Sequence, residues 1–156
     1  MSAISNLSTQ SSQALHALNN HFAKETSFLD AAGWAQLTGM ARFAFATPDA
    51  FLIAFDQDAD YDSPNFLWFR DRYERFAYVD RVVVAASAHG QGLGRALYEG
   101  LFVEAKAAGY PCIVAEVNTV PPNPGSLSFH DKMGFEAVGE VTFSPEKSVR
   151  YFARTL

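Results

Sequence analysis

The chain has 156 residues, of which 49% are hydrophobic and 19% charged, and its formal net charge is −5. This composition predicts one globular domain over residues 1–156, and the acidic balance without a basic stripe argues against nucleic acid as a partner. No apolar run reaches the ~20 residues of a membrane helix, residues 1–10 lack the pattern of a secretory signal, and a single cysteine excludes an internal disulfide. A cytoplasmic protein that does not bind membranes is therefore expected.

The first half of the chain alternates between helical and strand patterns. Leu15, Leu18 and Phe22 recur at helical spacing, and Asp30 precedes a second helical stretch as a potential N-cap. The expected elements are a strand at 4–7, helices at 11–25 and 30–40, strands at 42–46 and 51–55, an acidic loop at 56–63, and a short aromatic-rich helix at 64–74.

The second half carries the clearest strand, residues 76–84, whose end is apolar at nearly every position, as in a central strand buried on both faces. Gly109 and Pro111 stop the long helix that follows it, and Asn123 before Pro124 suits the start of another. The expected elements are a helix at 92–108, a strand at 112–117, a helix at 123–133, and strands at 135–143 and 147–154.

A glycine-rich turn joins the central strand to the long helix. Such a turn is a potential anion site, because free backbone N–H groups and the positive end of the helix dipole meet there. A nucleoside-triphosphate loop would need Lys and then Ser or Thr after its last glycine, but Gly94 precedes Arg95 and Ala96. A dinucleotide fingerprint started at Gly90 would place Arg95 at its last glycine, and one started at Gly92 would place Leu97 there.

The stretch from His89 to Gly94 resembles the pattern Gln/Arg-x-x-Gly-x-Gly/Ala of the Gcn5-related N-acetyltransferases, with His in place of the first residue. Downstream, residues 123–135 resemble a second signature of that family: an Asn, a small residue, an aromatic pair and Lys-x-Gly-Phe. The two motifs occur in the family's order, so the chain is similar to this superfamily over about residues 76–140. Residues 61–65 and 117–123 resemble one bacterial branch of it.

The resemblance implies an α/β (α+β) fold: a mixed, twisted sheet of about seven strands with about four flanking helices. It also implies transfer of an acetyl group from acetyl-CoA to a primary amine by direct attack in a ternary complex, without a metal. The positions that it assigns to the cofactor are the main chain of Val82, Val83 and Val84, the turn residues His89, Gly90, Gln91, Gly92, Leu93, Gly94 and Arg95, and the side chains of Asn123 and Ser126. Arg95 could equally be a solvated helix residue, and Asn123 a simple helix cap.

Three residues are candidates for proton transfer. His130 stands where the family's usual tyrosine acid is expected, and imidazole could serve as an acid, as a base or only as packing. Glu116 is the leading candidate for the base, because residues 115–117 resemble the strand that carries a catalytic Glu in ribosomal-protein N-terminal acetyltransferases, although this chain has two more residues before its Asn. Burial among apolar neighbours on a central strand would also raise its pKa. Asp80 is the rival base, and a water chain with no single base is a third possibility.

Other classes of function remain open on the sequence. Replacement of the tyrosine by His130 is compatible with a non-catalytic acyl-CoA binding module or sensor, and a larger acyl group could replace acetyl. The acceptor could be a small-molecule or a peptide amine, and a homodimer is possible. Four aspartates spaced by two in the acidic loop lack the glycine and terminal glutamate of an EF-hand, which leaves a solvated loop or a surface that attracts a cationic amine.

Overall fold

A seven-stranded mixed sheet organises the computed structural model, which describes residues 5–7, 12–23 and 26–156. The strands are β1 (Ser5–Asn6), β2 (Phe43–Thr47), β3 (Ala50–Asp56), β4 (Ala77–Val84), β5 (Cys112–Val120), β6 (Glu136–Ser144) and β7 (Lys147–Thr155). Their order across the sheet is β1-β2-β3-β4-β5-β7-β6, in which β4 and β5 pair in parallel and the other neighbours are antiparallel. The predicted fold class is confirmed.

Five α-helices cover the two faces of the sheet in the described ranges, the five that the sequence patterns predict and one more than the about four that the resemblance implies. They are α1 (Ser12–His21), α2 (Ala31–Met40), α3 (Pro64–Arg70), α4 (Leu93–Ala107) and α5 (Pro124–Lys132). One apolar cluster contains Leu97 and Leu101 of α4 beneath α5, and the other contains residues of α1, α2 and α3, such as Leu15, Trp34 and Phe66. Because β4 lies between these two clusters, its apolar run is buried on both faces.

Most predicted elements are found within a few residues of their expected bounds. The side chain of Asp30 caps α2 by accepting from the Gly33 N–H, as predicted. Helix α1, expected over 11–25, already ends at His21, and β5 runs three residues beyond its predicted end at Val117. Residue 4 of the first predicted strand and residues 11, 24 and 25 of the first predicted helix lie outside the described residues.

The two central strands separate soon after they meet. β4 and β5 pair only at Ala77 with Ile113 and at Tyr78 with Val114. Just beyond, the register of β4 against β3 skips one residue, so Asp80 is the extra residue of a β-bulge. Beyond this bulge β4 and β5 no longer pair, which leaves a gap between the two strands in the middle of the sheet. Main-chain groups along that edge of β4 are therefore available to a ligand.

Candidate active site

Two cavities meet at the gap between β4 and β5. The first, of about 760 Å³, lies along the end of β4 and the start of α4, between Val82 and Arg95, and we call it the glycine-turn groove. The second, of about 430 Å³, contains Tyr61, Asn65, Asp80 and Glu116 and is called the polar pocket. Six residues line both cavities and so define their junction: Thr26, Val82, Tyr98, Asn123, Ser126 and His130.

The glycine turn has the geometry of an anion site. Gly90 and Gly92 have φ angles of 82° and 74°, which side-chain-bearing residues rarely adopt. Helix α4 begins directly after Gly92, and no side chain of the described residues caps it. The first N–H groups of α4 have no partner within the helix, so they face the groove with the positive end of the helix dipole behind them.

The remaining predicted cofactor positions differ in what their side chains do. Val82, Val83 and Val84 all line the groove beside the free edge of β4. The His89 ring is exposed and its Nε2 atom lies 3.0 Å from the Val84 carbonyl oxygen, so this side chain fastens the turn to the end of β4. Arg95 lines the groove but forms an exposed ion pair of 2.7 Å with Glu99. Gln91 is exposed and is not among the groove residues.

Asn123 and Ser126 lie where the two cavities join. The Asn123 side chain accepts a hydrogen bond of 3.3 Å from the Ser126 N–H and so caps α5. The capping role that the sequence offered as an alternative is therefore present in the structure. Contact of either side chain with the cofactor stays a prediction.

Glu116 is held at one oxygen and left without a partner at the other. Its Oε1 atom accepts hydrogen bonds from the Tyr78 hydroxyl at 2.9 Å and from the Asn65 side-chain amide at 3.2 Å. Its Oε2 atom is buried and accepts no hydrogen bond from the described residues. Burial raises the pKa of Glu116 from 4.5 to about 7, against the hydrogen bonds from Tyr78 and Asn65, which lower it. A carboxylate in this state is suited to accept a proton near neutral pH.

Asp80, the rival base, has both oxygens engaged. Its Oδ1 atom accepts from the Tyr61 hydroxyl at 2.8 Å, and its Oδ2 atom forms a 2.7 Å ion pair with Arg81. The Arg81 guanidinium also donates to Asn19 of α1 and to Ser27 in the loop after it. Asp80 thus neutralises a buried cation that ties α1 to the sheet, whereas Glu116 keeps one oxygen free.

His130 is buried at the junction, with both ring nitrogens in contact with polar atoms. Its Nδ1 atom lies 2.8 Å from the Ser126 carbonyl oxygen and its Nε2 atom 2.8 Å from the Tyr98 hydroxyl. Burial lowers the pKa of His130, and the contact with the Ser126 carbonyl only partly opposes this. The ring is therefore neutral at neutral pH, which argues against a resident imidazolium acid.

Sequence reasoning missed four residues that complete the site: Tyr61, Asn65, Tyr78 and Tyr98. Each places a polar group at a cavity or on a candidate residue. Tyr78 and Tyr98 lie in apolar stretches that the sequence assigns to the core, whereas Tyr61 lies in the acidic loop and Asn65 in the short aromatic-rich helix. The available signal was that a buried tyrosine hydroxyl requires a hydrogen-bond partner.

A match to a known protein family shows to which family this chain belongs. The profile of the acetyltransferase (GNAT) family matches residues 15–135. This chain belongs to the GNAT acetyltransferase family. Comparison with curated protein sequences finds no match.

Solved structures share the fold of this acetyltransferase at low identity. The ribosomal-protein-alanine N-acetyltransferase of Brucella melitensis is 19% identical with a TM-score of 0.72, and the alignment covers 99% of both chains. An N-acetyltransferase of Staphylococcus aureus is 19% identical with a TM-score of 0.68, over 99% of this chain and 98% of the other. The Salmonella typhimurium protein yncA, solved with its cofactor acetyl-CoA, is 17% identical with a TM-score of 0.69, over 99% and 94% of the two chains.

The residues of the acetyltransferase fit the co-substrate that its family uses. The free edge of β4 and the mostly apolar groove suit a pantetheine arm, and the uncapped start of α4 suits a pyrophosphate. Within residues 5–7, 12–23 and 26–156, no cluster of three or more His, Cys, Asp and Glu side chains could hold a metal ion. No helix in these ranges is both long and apolar enough to span a membrane.

Proposed function

We propose that this protein transfers an acetyl group from acetyl-CoA to a primary amine, with Glu116 as the general base. The observation that carries the proposal is the buried Oε2 atom of Glu116, which has no hydrogen-bond partner among the described residues and belongs to a cavity that joins the glycine-turn groove. A buried polar atom without a partner is costly, and its retention is explained if the substrate ammonium supplies the missing hydrogen bond.

Each part of the junction has a role in this reaction. The acetyl-CoA, when bound, supplies the thioester that the amine attacks. The N–H groups of the glycine turn hold its pyrophosphate, and the free edge of β4 at Val82–Val84 orients the arm and offers an N–H to the carbonyl oxygen. Glu116 takes the first proton from the ammonium, because only the neutral amine is a nucleophile.

The acceptor enters from the polar pocket. That pocket holds two carboxylates, Asp80 and Glu116, and one of them is already neutralised by Arg81. Lys147 also lines this pocket, but its ammonium donates to the Asn118 side chain, so the free oxygen of Glu116 remains available to a charged primary amine. The same feature argues against a non-catalytic binding module. A protein that only binds the cofactor would have no use for a buried carboxylate oxygen without a hydrogen-bond partner.

Calorimetric titration with acetyl-CoA and with free coenzyme A, with NAD as the control ligand, tests the cofactor site first. Binding of both coenzyme A forms and not of NAD supports the glycine-turn groove as a coenzyme A site. Release of free thiol is then measured across a panel of amines that includes peptides with free N-termini. No binding would overturn the site, and binding without turnover on any amine would favour the binding module.

The pH dependence of the reaction should respond to the Tyr78 hydroxyl. We expect kcat/KM to rise with pH through about 7, because Glu116 must be ionised to act as a base. Tyr78→Phe removes a hydrogen bond that favours the carboxylate, so the rising limb should move to higher pH by about one unit. The ionisation of the amine substrate is the same for both enzymes and cancels in the comparison.

Tyr110→Phe is the matched control for this shift. Tyr110 is also buried and also donates to a carboxylate, Asp56, at 2.6 Å, but it lines neither cavity. Its profile should coincide with that of the wild type. An unmoved limb in Tyr78→Phe would show that the observed pKa does not belong to Glu116.

A further inference from the structure

Tyr98 and His130 form a hydrogen-bonded pair at the junction of the two cavities. Tyr98 lies on α4 and His130 on α5, and their side chains meet with 2.8 Å between the hydroxyl oxygen and Nε2. Tyr98 is 3% exposed and His130 6%, yet both line the glycine-turn groove and the polar pocket. The pair therefore borders the space where thioester and amine would meet.

The hydrogen bonds define which nitrogen of His130 carries the proton. The Ser126 carbonyl oxygen can only accept, so Nδ1, at 2.8 Å from it, carries the hydrogen. In the neutral ring Nε2 then has a free lone pair and accepts from the Tyr98 O–H. The lone pairs of the Tyr98 oxygen remain available at the junction, so this oxygen can accept a proton while it gives its own to His130.

The pair and Glu116 belong to opposite faces of the sheet. Tyr98 is part of the apolar cluster beneath α4 and α5, whereas Glu116 is bonded to Tyr78 and Asn65, on the face covered by α1, α2 and α3. The gap between β4 and β5 joins the two faces. An amine in the gap thus has one proton acceptor on each side.

We infer that Tyr98 and His130 shuttle the second amine proton to the departing sulfur, an inference that rests on the proposed function. The ammonium loses its first proton to Glu116 and attacks, which forms the C–N bond. The nitrogen then gives its second proton to the Tyr98 oxygen as the phenolic proton moves to Nε2 of His130. When the C–S bond breaks, its electron pair stays on sulfur. His130 returns its proton to Tyr98, which protonates the sulfur, so the thiol leaves neutral and Tyr98 and His130 are restored. Glu116 releases the first proton to solvent before the next cycle.

Charge need not accumulate on Tyr98 during this shuttle. Burial, together with the negative charge of Glu116, raises the pKa of Tyr98 well above that of a free phenol, so a tyrosinate is strongly disfavoured. A concerted transfer through the hydroxyl avoids that state, because the oxygen gains one proton as it loses the other.

A merely structural pair would have the same geometry, so the test separates kcat from stability and binding. Tyr98→Phe should lower kcat on the order of 100-fold, with the Kd for free coenzyme A within twofold of wild type. His130→Gln should have a similar effect, and the double variant should be no slower than the worse single one, because the two residues act as a unit. Tyr110→Phe, which also loses one buried hydroxyl, should keep the wild-type kcat.

Three results would overturn the shuttle. Provided that the wild type turns over, a Tyr98→Phe variant with kcat within threefold of wild type excludes the shuttle. A double variant whose loss in kcat equals the product of the two single losses also excludes it. A measurement that needs no folded Tyr98 variant is the ¹⁵N spectrum of the four histidines in the wild type. It should show His130 with Nδ1 protonated and Nε2 bare, and the opposite tautomer contradicts the shuttle. Failure of the wild type to acetylate any amine would instead overturn the proposed function.

Discussion

Replacing Glu116 by Gln should reduce kcat/KM by roughly 10²- to 10⁴-fold and also make the folded protein more stable above neutral pH. The loss of rate follows because an amide cannot take the ammonium proton. The matched geometry of Gln keeps an oxygen for the Tyr78 and Asn65 hydrogen bonds. The Kd for coenzyme A should stay near the wild-type value, since Glu116 does not line the glycine-turn groove.

The gain in stability has a definite sign and pH window. The pKa of Glu116 is raised from 4.5 to about 7 in the folded protein. Below about pH 4 the carboxyl is protonated in both the folded and the unfolded chain, so it imposes no penalty. Between these two pKa values the unfolded chain ionises first, and the penalty grows to about 3 kcal/mol above pH 7. Removing the charge should therefore raise Tm by several degrees at pH 8 and hardly at all at pH 4.

Asp80→Asn provides the contrasting control, because it removes the other carboxylate of the polar pocket. It leaves the Arg81 guanidinium buried without its ion-pair partner, so we expect the variant to be destabilised by about 3–5 kcal/mol. Thermal unfolding of both variants at pH 4 and pH 8 checks the contrast. Equal destabilisation by the two substitutions would refute the assignment of Glu116 as the carboxylate whose charge is disfavoured by burial and of Asp80 as the one paired with Arg81.

Gly92→Glu should abolish measurable binding of coenzyme A. Gly92 immediately precedes α4, and its side chain would project beside N–H groups proposed to hold the pyrophosphate. A negative charge there competes with the phosphate for the same dipole. The fold should survive, because a Cβ at Gly92 meets no heavy atom of the described residues within 4 Å, although the φ angle of 74° costs about 1–2 kcal/mol with any side chain.

Gly92→Gln separates charge from backbone strain in this experiment. The two variants share the same strain and nearly the same bulk, so a difference between their affinities reports the charge. Calorimetry should find weakened binding for Gln and none for Glu. If Glu binds coenzyme A as well as the wild type does, the pyrophosphate lies elsewhere.

The parts of this molecule that the sequence predicted correctly are those set by neighbouring residues. The Asp30 cap, the stop at Gly109 and the turn from Gly90 to Gly94 each depend on a few adjacent positions, whose conformational preferences act locally. The order of the two motifs then indicated the family, and the resemblance to that family predicted the sheet of about seven strands. Glu116 was proposed for the site from the resemblance of residues 115–117 to a strand of related acetyltransferases and from its alternation against apolar neighbours, and its role as the base stays a prediction.

The contacts that the sequence could not predict join distant residues. Asn65 reaches Glu116 across 51 positions and Tyr98 reaches His130 across 32, so no local pattern reveals either pair. The bulge at Asp80 depends on the register between β3 and β4, and it decides which way the following side chains face. The sequence therefore offered Asp80 and Glu116 as rivals, and only tertiary contacts separate an ion pair from a free oxygen.

The short pairing of β4 with β5 also has a mechanical side. Two residue pairs join the four-stranded half of the sheet to the three-stranded half, so this seam has fewer paired residues than the β3–β4 and β5–β7 junctions on either side of it. A ligand that lies along the seam would contact both β4 and β5 and so connect the two halves. The proposed cofactor would then stabilise the fold by contacts with both halves of the sheet. The enzyme without cofactor would therefore be cleaved faster by proteases.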